Sequence, residues 1–150
     1  MKFTTLLLVM AASVAIPSIA FPADWVLVAQ TKDGGSTTYY DRQSVTNTSD
    51  NTVKLCTKTV YSEQGRKVFI ERLKKRNPEI RGYENLSHAF YYEEVNCATK
   101  EHALLEVTDH SNDGKVIYHQ EMNNKKWIRV LPGSMADNLL QTICPGKKGE

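Results

Sequence analysis

Turn signals recur so closely along this chain that only short strands fit between them, and this spacing constrains the fold more than any other feature. "DWVLVAQ" and "TTYYD" flank "KDGGS", whose glycines and aspartate tolerate positive φ, so the first two strands read as a hairpin. "NTSDN" then separates them from "TVKLCTKTVY". In that run Val53, Leu55, Thr57, Thr59 and Tyr61 share one face, and Lys54, Cys56 and Lys58 share the more polar one. "LSHAFYYEEVNC" is a longer aromatic strand, and "EHALLEVTDH" and "GKVIYHQEM" flank "SNDG". Asp-Gly between two β-like runs is a strong short-range hairpin signal. "KKWIRV" closes the series, giving an antiparallel sheet of about six strands.

Two segments break the alternation. In "SEQGRKVFIERLKKRNP" the residues Val68, Phe69, Ile70 and Leu73 trace a rough helical stripe that Asn77-Pro78 ends, predicting a short mid-chain surface helix. "WIRVLPGSMADNLLQTICPG" predicts a second helix with well-marked ends. Ser134 is placed to cap it, and Asp137 follows three residues later as in a capping box. Met135, Leu139 and Ile143 form one ridge, Ala136, Leu140 and Cys144 the next, and Pro145-Gly146 stops the helix. At about 15 Å it is too short to persist alone, so packing must hold it. The fold class is α+β.

The N-terminal stretch "MKFTTLLLVMAASVAIPSIAFPADW" sets the compartment. Lys2 precedes an apolar run from Leu6 to Ile16, Pro17 breaks it, and Ser18-Ile19-Ala20 supplies the small residues of a cleavage site. The run is well short of the ~20 residues of a membrane-spanning helix. Residues 1–20 are therefore expected to be a cleaved secretory signal and 21–150 a single domain. The protein is expected in the periplasm, secreted, or at the cell surface. No cysteine precedes Cys56, so there is no lipobox. Cleavage removes one of the 19 Lys+Arg and none of the 17 Asp+Glu. A net charge of about +1 gives no case for nucleic-acid binding. Basic residues do concentrate in "ERLKKRNPEIR". Most such runs are solvated helix faces; the alternative is a partner contact through Arg72, Lys74, Lys75, Arg76 and Arg81. The "GKKGE" tail is expected to fray.

Three cysteines in an exported chain mean one pair and one left over. Cys97 ends the aromatic strand and Cys144 the last helix, and joining them closes a loop of about 48 residues, nominally worth ~4 kcal/mol. Pairings through Cys56 stay open at this level.

No catalytic signature is present: there is no G-x-S-x-G, P-loop or G-x-G-x-x-G. Asp109–Gly114 resembles the start of an EF-hand loop, but Ser111 and Gln120 stand at ligand positions and the flanks read as strands. His88, His102, His110 and His119 lack tight metal spacing, although His102 and His110 share strand parity, which would put them on one face. A Cys56 nucleophile would need a histidine within reach. The expectation is no catalytic residue, no metal and no cofactor. Phe90, Tyr91 and Tyr92 are adjacent and must point to both faces of their strand, leaving aromatic surface for self-association or a partner if one face stays uncovered.

The early tryptophan, "YYD", the strand ending in Cys97, the "DGK" hairpin, and W-I-x-x-L-P-G-S before a helix ending in cysteine together resemble the surface-adhesin protein E family, from about Trp25 to Cys144. The resemblance implies an antiparallel sheet covered by a C-terminal helix tied down by a Cys97–Cys144 disulfide, with Cys56 additional to the pattern. It also implies binding of host matrix and serum proteins; haem binding has been proposed in the family too. Its best-studied members are lipid-anchored, and this chain has no lipobox. The functional expectation is an exported, non-enzymatic binding protein with a macromolecular partner, a second copy of the chain being another candidate. The alternatives are a periplasmic accessory or structural protein and a haem or metal carrier.

Overall fold

The computed structural model describes residues 22–49 and 51–144. The signal sequence expected over 1–20, the Pro145-Gly146 helix stop and the lysine-rich tail lie outside the described residues. Among the described residues eight strands form one antiparallel sheet: β1 Trp25–Gln30, β2 Ser36–Asp41, β3 Thr46–Ser49, β4 Thr52–Tyr61, β5 Leu86–Asn96, β6 Glu101–Ser111, β7 Val116–Glu121 and β8 Ile128–Arg129. The main path is β1-β2-β4-β5-β6-β7, six strands as expected, with β3 pairing the first residues of β4 and β8 the first residues of β6. Two details depart from expectation. "NTSDN" is not only a separator, because Asn47 and Ser49 pair within β3 with Val53 and Thr52. "KKWIRV" contributes only Ile128 and Arg129 to a ladder.

The turns explain the topology. Gly34 at φ +68° and Gly114 at φ +80° occupy the left-handed region in the β1–β2 and β6–β7 connections, where side chains are disfavoured. Between β2 and β3 a short 3-10 turn, Arg42–Ser44, is capped by Asp41, and the Ser44 hydroxyl accepts from the Cys56 amide. That bond takes up a β4 donor where one neighbouring strand gives way to the next.

Helix α1, Glu63–Arg76, begins where Ser62 caps the Gly65 amide and ends at Asn77. Helix α2, Met135–Ile143, is capped as read from the sequence, with the Ser134 hydroxyl accepting from the Asp137 amide. Both helices lie on the same face of the sheet. Leu139 and Leu140 of α2 pack with Leu55 of β4, Val95 of β5 and Val130, ringed by Val28, Tyr40, Ala136, Ile143 and Cys144. Phe69 of α1 packs on Tyr61 and Tyr83 at the other end of that face. Cys97 and Cys144 are joined, with Cα atoms 5.6 Å apart, tying the end of α2 to the end of β5. Cys56 is left free.

Candidate binding surface

Strand alternation sends Leu55, Thr57, Tyr91, Glu93 and Val95 to the helix-covered face and Cys56, Lys58, Phe90, Tyr92 and Glu94 to the other. No helix of the described residues lies on this second face. Register builds an aromatic platform there. Lys58 stands opposite Phe90, and His88 opposite His110. The His88 and His110 rings stack at 5.0 Å, and Phe90 meets each edge-on. Trp25, arriving from β1, brings its ring to 5.8 Å from Phe90. The Lys58 ammonium lies 5.7 Å from the Trp25 ring and 5.6 Å from the Phe90 ring, within cation–π reach of both. Around this platform Leu27 is 57 % exposed, and Val60 and Tyr92 are also open to solvent.

Electrostatics favour a neutral imidazole beside this cation. Burial first, then the Lys58 charge and His110, hold His88 below its ordinary range. At the end of the same face, Glu94 accepts from Lys125 at 2.8 Å and Thr48 at 3.0 Å, so the polar rim is internally satisfied.

The histidines correct a reading of the sequence. His102 and His110 share parity, yet they occupy opposite faces. Tyr92 pairs Glu106 while Glu93 pairs Leu104, so Leu105 is unopposed, and this β-bulge inverts the alternation. His102 therefore joins the helix-covered face. Among the described residues no group of three or more His, Cys, Asp or Glu is arranged to hold a metal. Cys56 is half-buried, and burial, then the charges of Asp41, Glu93 and Glu106, push its thiol up to about 11. A protonated thiol is a poor nucleophile.

The basic segment is separate from the platform. Lys74, Lys75 and Arg76 form the exposed last turn of α1, where cations complement the helix dipole, and Arg81 is exposed in the connection beyond. Arg72 turns toward the β1–β2 hairpin, where its charge helps, after hydrogen bonds from Thr31 and Gly35, to lower the Asp33 carboxyl. The five basic residues thus span the exposed end of α1 and the connection beyond it. The sequence marked Trp25, His88 and His110 for other reasons, as part of a family pattern and as candidate metal ligands; only cross-strand register brings them together with Lys58 and Phe90.

The family model described as surface-adhesin protein E matches residues 25–145. The chain belongs to the surface-adhesin protein E family. No curated protein matches it. The adhesin E match starts on the first residue of β1 and runs past the end of α2, so it covers the whole sheet, both helices and the disulfide.

Proposed function

We propose that this protein is an exported, non-enzymatic binding protein whose uncovered sheet face docks a macromolecular partner, a host matrix or serum protein being the class its family membership points to. The observation that carries the reading is the one-sided covering of the sheet. Both helices pack on one face, while the other presents Trp25, Phe90 and Lys58 with exposed Leu27, Val60 and Tyr92 around them. Aromatic side chains such as Trp25 anchor protein interfaces, and Lys58 sets the charge of the face. Arg72, Lys74, Lys75, Arg76 and Arg81 then act at the rim, as long-range attraction for an acidic partner rather than as its anchor.

The test uses the mature, disulfide-bonded protein immobilised against purified matrix glycoproteins and serum proteins. Saturable binding is expected for at least one, lost in Trp25→Ser and Lys58→Glu variants whose melting temperatures match the parent. Reversing Lys74, Lys75 and Arg76 to glutamate should slow association at low salt and leave dissociation unchanged. Binding that survives both platform substitutions would overturn the proposal, as would no binding to any of these proteins.

A further inference from the structure

A groove of about 310 Å³ opens on the helix-covered face beside α2, opposite in location to the platform and independent of it. Its floor includes Thr57, Glu93 and His102, and its sides include Leu104, Met135 and Leu139. The Glu93 side chain is only 14 % exposed. One oxygen, Oε1, accepts from the Thr57 hydroxyl at 2.6 Å. The other, Oε2, lies 3.4 Å from His102 Nδ1, a buried atom that makes no hydrogen bond.

No lysine or arginine among the described residues forms an ion pair with this carboxylate. That is unusual for so enclosed an acid, since buried charges are ordinarily paired. The adjacent residue shows the contrast. Glu94, on the opposite face, is matched by Lys125 at 2.8 Å. A carboxylate has about four lone-pair sites, so Glu93 keeps acceptor capacity directed at a cavity whose remaining walls are largely apolar.

We propose that this groove binds a small organic cation, a primary ammonium on a short apolar body. The ammonium docks on Glu93 Oε2 beside His102, and the body lies against Leu104, Met135 and Leu139. Charge complementarity selects this class. An anion would meet the carboxylate's repulsion, and a neutral alcohol would supply a hydrogen bond without the charge, which is roughly half as strong. At ~30 Å³ for each small polar or apolar unit the space accommodates roughly ten non-hydrogen atoms, at the lower end of ligand pockets.

The test is a titration of the mature protein, followed by amide shifts, with three probes that share one body: n-hexylamine, n-hexanol and hexanoate. It is run at pH 8, where the amine probe is protonated and the hexanoate probe ionised. Hexylamine should shift amides of β5, β6 and α2 around the groove and bind at least tenfold more tightly than hexanol, with hexanoate weakest. In Glu93→Gln, which retains the acceptor for Thr57, the preference for the amine over the alcohol should fall below threefold. Equal binding of amine and alcohol to the parent protein overturns the proposal. So does an amine preference that survives Glu93→Gln, shifts confined to residues outside the groove, or no binding by any probe.

Discussion

Glu93 and Glu94 are chain neighbours in opposite circumstances, and Glu94 shows what pairing does for a buried acid. It is 5 % exposed. Burial alone would raise its carboxyl, but hydrogen bonds from Lys125 and Thr48, with the Lys125 and Lys54 charges, hold it below the ordinary value of 4.5. A carboxylate depressed in the folded state contributes stability that is present above the unfolded pKa and is lost as pH falls through the folded one. Glu94→Gln should therefore lower stability by about 1–2 kcal/mol at pH 7, discounted because Lys125 is partly exposed. Urea unfolding at pH 7 and pH 3 checks this: the gap between parent and variant should shrink at the lower pH. A gap equal at both would mean the carboxylate charge contributes nothing. At this scale the sequence is legible where the determinant is local. Ser134 could be recognised as a cap because its partner, Asp137, lies within one turn. The separation of His102 from His110 could not, because a bulge at Leu105 depends on how β6 pairs with β5.

Among the elements, α1 carries a glycine in its first turn that local propensity alone reads as a weakness. Replacing a helical glycine by alanine ordinarily gains up to about 1 kcal/mol. Here the helix start is pressed onto the β1–β2 hairpin: the Ser62 amide donates to the Gly35 carbonyl at 3.0 Å, and the Ser62 hydroxyl lies 3.2 Å from the same oxygen. A Cβ on Gly65 would fall 1.7 Å from that carbonyl oxygen and 2.4 Å from its carbon. Backbone on both sides leaves little room to yield. Gly65→Ala should therefore destabilise by about 1–3 kcal/mol, as overpacking does. Gln64→Ala, exposed one residue earlier, should stay within about 0.5 kcal/mol of the parent. Thermal melts of the two variants decide it, and a stabilised Gly65→Ala would refute the close approach. The limits of α1 could be read from Ser62 and Asn77. Its docking could not, since a contact between Gly35 and Gly65 leaves no periodic trace.

Across the whole molecule, the order of strands, the two helices and the disulfide's place in the family pattern were legible, because turn residues and apolar periodicity are written locally. What escaped was the consequence of register, which gathers Trp25, Lys58, Phe90, His88 and His110 on one face and opens a groove at Glu93 on the other. The disulfide decides how securely that second face is closed. A nine-residue α2 cannot hold its own helix in water, so its stability comes from Leu139 and Leu140 on Leu55 and Val95 and from the Cys97–Cys144 bond. Non-reducing peptide mapping should recover that pair, and Cys144→Ala should cost about 2–4 kcal/mol, while Cys56→Ser, removing the free thiol, should cost far less. The bond acts in two ways that amide exchange separates. Loss of its constraint on the unfolded chain lowers protection uniformly. Loss of its hold on the folded helix lowers protection in α2 further, through local opening. Because the bond sits at the very end of α2, one residue beyond Ile143, the second effect should show as well. The α2 amides of Cys144→Ala should lose more protection than those of β4 and β5. A uniform loss would place all of the disulfide's effect in the unfolded chain and leave apolar packing as the only hold on the helix.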